Sequence, residues 1–319
     1  MYFSRNKWYT ETKEALAMIE SFAQLKQLLH NNQPRTAVVA AAHDAHTLQA
    51  VFAAQDDGLI TPILVGHREE ILELAQQLDH PLTSATPIYH AEDESQCAAI
   101  SVDLIRAGKG DMLIKGMLQT GTLLKAVVNK DSGICASEVM SHVAILDVPS
   151  YHKLLYITDG GMVINPDLTQ KRAILKNALD FCRFLGYDAP KAAALCAVET
   201  LNPHMQETLD AAALKSEAQS GAFGTCFVEG PISLDLATDK QAAAVKGYRS
   251  PVAGDADILL APSIAAGNIL GKSLYGLAGG EMAGVVLGAT VPITVNSRGA
   301  TPTEKYSSIL ICAAMAAQR

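Results

Sequence analysis

From Thr36 onward, short apolar or β-branched runs alternate with longer stretches in which apolar residues recur every three or four positions. TAVVAAA, TPILVG, TPIYH and DMLIKG have the length and composition of strands, and the segments near 45–56, 67–78 and 92–108 between them have helical periodicity. That alternation is the pattern of βαβ units and predicts a parallel sheet covered by helices. It breaks once: VAILDVP (143–149) and LLYITDG (154–160) are joined only by PSYHK, too short for a crossover helix, so at least one antiparallel pair is expected. The rhythm then resumes with a helix starting at Pro166, the strand KAAALCAVE, a helix near 202–219, TCFVEG, a helix near 233–246, DILLAPS, a helix near 265–277, GVVLGA and PITVNS. An amphipathic helix begins around Met18, and the 17 residues before it read as an extension, native or a translation artefact.

At 319 residues the chain is long for a single core, which favours two domains or one large α/β domain with a lobe. A composition of 49% apolar and 18% charged residues excludes disorder. A net charge of −8 offers no cationic surface to nucleic acid or anionic lipid, so any phosphate must be held locally. The six cysteines form no CxxC pair and no zinc-type spacing, the pattern of reduced thiols in a cytoplasmic protein. There is no signal-peptide apolar core and no run of eighteen apolar residues, so neither export nor membrane insertion is expected.

Several segments have the residue types of chemistry. AAGNILGKSL (265–274) opens a helix after a strand, but Gly267 and Gly271 enclose three residues, so the Walker spacing fails. A strand-to-helix turn facing a ligand cleft is the better reading, with Asn268 as a candidate contact. No dinucleotide-binding glycine fingerprint follows the first strand, and no GxSxG elbow supports a covalent serine. His43 and His46 flank Asp44 without a third ligand pattern, so Asp44 is expected as a helix N-cap and no metal site is expected. His142 and Asp159 flank strand ends, where they could line a site or serve equally as a hydrogen-bonded histidine and a turn aspartate.

SRGATPTEKYSSILICAAM carries the most information. Thr301, Pro302 and Glu304 supply an N-cap, an N1 proline and an N3 acid, a complete capping box. Ser297, Arg298 and Gly299 then precede a helix N-terminus, where free backbone N–H groups and a guanidinium fork suit a phosphate. On the residues alone this anion site stands level with a second reading, in which Glu304 only caps and Arg298 pairs with a surface acid.

The balance tips on resemblance. KGMLQTGTLLKAVVNK (115–130), SHVAILDVPSYHKLLYITDGGMVINPDLTQK (141–171), SPVAGDADILLAPSIAAGNILGKSL (250–274) and VNSRGATPTEK (295–305), in this order, resemble the phosphate acetyl/butyryl transferase family, and its butyryl branch more than its acetyl one. The resemblance runs from about Met18 to Arg319. It implies the reversible conversion of acyl-CoA plus phosphate to acyl phosphate plus CoA, with no metal or bound cofactor, in a homo-oligomeric cytoplasmic enzyme whose partners are small molecules. It also implies an α/β fold of two domains with mainly parallel sheets flanked by helices, residues 1–136 plus 286–319 and residues 137–285, and an active-site cleft between them. Ser297 and Arg298 carry over as the pair that positions phosphate and thioester. Glu304 stands where the acetyl branch has an aspartate base, and Lys125 where it has an arginine, keeping the charge and losing the fork. Lys115 and Thr120 are further phosphate or CoA contacts. The alternatives are a phosphate acetyltransferase, or a module that binds acyl-CoA without turning it over.

Overall fold

The computed structural model describes residues 18–29 and 32–317, so the extension expected before Met18 lies outside the described residues. After α1 (Phe22–Leu29) the chain alternates through β1 (Arg35–Ala40), α2 (Ala45–Asp56), β2 (Ile60–Gly66), α3 (Arg68–Gln77), β3 (Ile88–His90), α4 (Glu94–Arg106), β4 (Met112–Lys115) and α5 (Thr120–Val127). β5 (Ser141–Asp147) and β6 (Leu155–Thr158) then pair antiparallel, as their short connection requires. Next come α6 (Leu168–Phe184), β7 (Lys191–Leu195), α7 (Gln206–Gln219), β8 (Phe227–Ile232), α8 (Leu234–Thr238), α9 (Lys240–Val245), β9 (Ile258–Leu260) and α10 (Ile264–Gly276). β10 (Glu281–Leu287), β11 (Ile293–Thr294) and α11 (Pro302–Ala317) follow.

The helices expected from about Met18 and near 202 begin four residues later, at Phe22 and Gln206, and two other helix expectations need correction. The helix expected from Pro166 begins at Leu168, because Asp167 is the stronger cap: it accepts from Gln170 N at 2.8 Å, and the Gln170 side chain accepts from Asp167 N at 3.1 Å. The helix expected near 233–246 is split into α8 and α9 at Asp239, whose extended backbone interrupts the helix while its side chain accepts from Gln241 N at 2.7 Å.

Among the described residues eleven strands form one sheet in the order β3-β2-β1-β4-β11-β10-β5-β6-β9-β7-β8. β3, β2, β1, β4 and β11 are mutually parallel, as are β6, β9, β7 and β8. Between the two parallel blocks, three antiparallel pairings (β11 with β10, β10 with β5, β5 with β6) reverse the direction, so the blocks point opposite ways. β10 spans the expected 285/286 boundary and pairs on both sides, so the sheet is continuous there. Alternate side chains enter different layers. Val39, Ile114, Val143 and Val285 pack with α1, α2, α6 and α11, whereas Val38, Leu113, Val286 and Leu146 face α4, α5 and α10. Cys97, Cys182 and Cys312 are buried and Cys135 is exposed, all as free thiols. No described helix is long and apolar enough to cross a membrane.

Candidate active site

The carboxyl ends of β1, β4 and β11 lie side by side, and the segments leaving them build one polar site. From β1 the chain turns into α2 through Asp44, which is the expected N-cap and accepts from Thr47 N at 2.9 Å. From β4 it turns through Lys115 and Gly116. A Cβ at Gly116 would stand 2.2 Å from Ala41 O, so only glycine lets these two strand ends approach this closely. From β11 it runs through Ser297, Arg298 and Gly299, all exposed, into α11.

Lys115 is 2% exposed, and the one hydrogen bond of its ammonium among the described residues is donated to Gly116 O at 3.2 Å. Burial pushes its ammonium down to about 8; the charges of Lys305 and Arg298 push the same way, and Glu94 and Asp44 oppose them. Lys305, also buried, donates to Thr47 Oγ1 at 3.0 Å and lies 3.6 Å from Asp44 Oδ2. Sequence reasoning passed over Lys305. Its available signal was a cation in the first turn of a helix, where the dipole disfavours it.

The capping box of α11 forms as read. Glu304 Oε2 accepts from Thr301 N at 2.8 Å and Thr301 Oγ1 at 3.1 Å, and Glu304 N donates to Thr301 Oγ1 at 3.2 Å. Tyr275 of α10 donates to the same Oε2 at 2.9 Å, a bond that raises the phenol's pKa. No described residue hydrogen-bonds Oε1. Asn296 donates to Ser308 Oγ at 2.9 Å, and Ala300 N donates to Ser297 O at 3.1 Å, which fixes the loop at its base and in its turn.

His142, Asp159 and Asn268 form a second group. Asp159 is buried and its carboxylate accepts from four backbone N–H groups: Gly161 at 2.7 Å, Met162 at 2.9 Å, Val163 at 3.2 Å and His142 at 3.3 Å. It thereby shapes the loop after β6. Asn268 is exposed and donates to Gly160 O at 3.1 Å, tying α10 to that loop. The His142 ring is buried beneath Gly161 and Gly284; its Nδ1 has no partner and burial lowers its pKa against the pull of Asp159. From Asn268 to Tyr275 is seven helical residues, about 10 Å along α10, so this helix spans the distance between the two groups.

Thr120 is the first residue of α5, but the N-terminus of that helix already holds a carboxylate: Glu94 accepts from Gln119 N at 3.0 Å and Thr122 Oγ1 at 3.4 Å. Lys125 is exposed in the last turn of α5, with no ion pair among the described residues. An apolar cavity of about 410 Å³ lies elsewhere, between α6 and the β10–β11 connection, where Phe181, Phe184 and Val291 line it and none of the candidate residues does.

Residues 90–313 match the family described as phosphate acetyl/butaryl transferase. The chain is 40% identical to a probable phosphate butyryltransferase of Bacillus subtilis (strain 168), over 90% of this chain and 95% of that one. It is 39% identical to a phosphate acetyltransferase of Rhizobium meliloti, over 90% of each. Its fold matches the crystal structure of a branched-chain phosphotransacylase from Enterococcus faecalis V583 with a TM-score of 0.76 at 30% identity, covering 88% of this chain and 99% of that one. The extent of these matches shows that the chain belongs to the phosphate acetyl/butyryl transferase family.

Proposed function

We propose that this chain is a cytoplasmic, homo-oligomeric enzyme that interconverts acyl-CoA plus phosphate with acyl phosphate plus CoA, acting on a short acyl chain of butyryl type. The observation that carries this reading is the convergence of Arg298 and Lys115 beside the N-terminus of α11 in a member of this family. The two lobes, 1–136 with 286–319 and 137–285, are part of the same proposal, with the cleft along the antiparallel strands.

In the direction of thioester synthesis the CoA sulfur attacks the acyl carbon, the C–S bond forms and the bond to the phosphate oxygen breaks. An ordinary thiol, with a pKa of about 8.5, is only a few per cent thiolate at neutral pH, so a base gains rate by taking its proton. Glu304 takes it on Oε1, while Oε2 stays with Thr301 and Tyr275. Charge that builds on the carbonyl oxygen and the leaving phosphate is met by Arg298, Lys115 and the backbone N–H groups that open α11. Ser297 hydrogen-bonds the acyl phosphate or thioester. Lys125, Thr120 and Asn268 contact CoA, and His142 and Asp159 hold the wall that carries Asn268. No step calls for a metal or a bound cofactor.

Butyryl preference follows from the wording of SHVAILDVP and PSYHKLLYITDGG, and the neighbour described as a branched-chain phosphotransacylase supports an acyl group larger than acetyl. Identities of 40% and 39% to the two named activities favour neither. Phosphate-dependent thiol release from acyl-CoAs of two to five carbons tests the reading. A higher kcat/KM for the four-carbon than the two-carbon substrate is expected; the reverse order makes the chain an acetyltransferase, and no phosphate-dependent release makes it a binding module.

A further inference from the structure

Buried charges are tolerated when they are paired, and an unpaired one is costly enough that proteins seldom keep it without a ligand. Asp44 is the carboxylate within ion-pair reach of Lys305 among the described residues, and its Oδ2 also accepts from the backbone and hydroxyl of Thr47. Glu94 is turned to the N-terminus of α5. Lys115 is left with a carbonyl from its own turn and two cations, Lys305 and Arg298, close enough to repel it. Three cations therefore face two carboxylates that are already engaged, at the carboxyl ends of parallel strands, where such sheets bind ligands.

We infer that Lys115 and Lys305 form a two-lysine seat for a phosphate dianion, the phosphoryl group that the reaction transfers to or from the acyl carbon. This deepens the phosphate acyltransferase reading and rests on it for the identity of the anion. Lys115 gives the phosphate the charge and N–H donors that it cannot place on a carboxylate. Lys305, steadied by Thr47 and Asp44, supplies the second cation from the α11 side. Arg298, exposed at the mouth, completes the enclosure and is the member free to follow the acyl group. The seat is loaded when Lys115 is protonated. The groups facing that ammonium are Lys305, Arg298, Glu94 and Asp44, so phosphate affinity should fall as pH rises through about 8 in the free enzyme.

The test is thermal unfolding of the full chain with and without inorganic phosphate, without acyl-CoA, together with steady-state kinetics. In phosphate-free buffer Lys115→Met should unfold at a higher temperature than wild type, because an uncompensated buried cation has gone. Phosphate should stabilise wild type and not the variant. The variant's KM for phosphate should rise about 10- to 100-fold, the loss of one charge-assisted hydrogen-bonding group, with the KM for acyl-CoA unchanged. Lys115→Arg, whose charge persists at high pH, should abolish the break near pH 8 in the phosphate KM. Lys305→Met should weaken phosphate in the same way.

Wild-type phosphate stabilisation and wild-type phosphate KM in Lys115→Met would overturn the seat even if turnover is normal. So would a loss confined to CoA and absent with dephospho-CoA, which would assign the lysines to the CoA 3′-phosphate. Failure of the enzymatic reading looks different: no phosphate-dependent CoA release at all, whatever phosphate does to the unfolding temperature.

Discussion

Two lysine clusters, each with a buried member, lie at strand ends on the same side of the sheet, and they are built on opposite principles. At the amino ends of β6, β7 and β9, Lys153 meets Asp257 at 2.5 Å and Asp255 at 3.1 Å, Lys191 pairs with Asp255, and His152 reaches Asp255 at 2.7 Å. Asp257 also accepts from Lys191 N at 2.7 Å. Two lysines answer two aspartates, and the network ties three strands together. At the carboxyl ends of β1 and β4, Asp44 lies within ion-pair reach of Lys305 with its Oδ2 already committed to Thr47, and Lys115 has no ion pair among the described residues. A buried lysine is therefore not in itself a sign of function. An imbalance of charge at the carboxyl ends of β1 and β4 is what sets the proposed seat apart, and the reversal of strand direction in the middle of the sheet puts both kinds of cluster on one side.

If the contrast holds, substitutions at one cluster should change turnover and at the other stability. The largest effect is expected at Glu304→Gln. Glutamine keeps the capping box but cannot take a proton, so kcat should fall about 10²- to 10⁴-fold with the unfolding temperature preserved. Unchanged turnover would leave Glu304 as a cap alone.

Lys153→Met should do the reverse. It strands Asp257 in a buried position and should cost about 3–5 kcal/mol in urea unfolding, with kcat per folded molecule unaltered. A variant as stable as wild type would erase the distinction between the clusters. Acid sharpens it further. Burial pushes the Asp255 carboxyl up, but hydrogen bonds from Lys191, His152 and Lys153 outweigh that and hold it well below the ordinary range. A depressed carboxylate contributes stability that is complete above its unfolded pKa, about 4, and lost as pH falls from there through its lower folded value. Asp255→Asn should therefore be less stable at neutral pH and show a flatter loss on acidification below about pH 4, read from unfolding temperatures across that range. The smallest effect is expected at Lys125→Met, a few-fold rise in the acyl-CoA KM with stability within about 0.5 kcal/mol.

Much of this is written locally. The alternating runs mark the βαβ units, the length of PSYHK forces the antiparallel pair, and the caps at Asp44 and Thr301 are legible because each rests on residues three apart. The position of Ser297 and Arg298 before a helix follows from the same box. What is not legible depends on pairing across the chain. β11 is two residues long, yet it joins the β4 block to β10, and nothing local announces that role. Thr47 and Lys305 touch across 258 residues of sequence, so the partner that gives Lys305 its meaning is invisible beside it. Glu304 shows the opposite limit: the capping motif names the bond that Oε2 makes and says nothing of Oε1.

α11 also sets the order in which this protein can mature. It is buried along most of its length, packs on α2 and β10, and accepts a hydrogen bond at Ala317 O from Arg35, at the start of β1. β1, β2 and β4 can leave the ribosome, pair and take α1 and α2 early, but the part of their apolar face that α11 covers stays open until residues 302–317 have been translated. The nascent first half should therefore depend on chaperones until α11 has emerged.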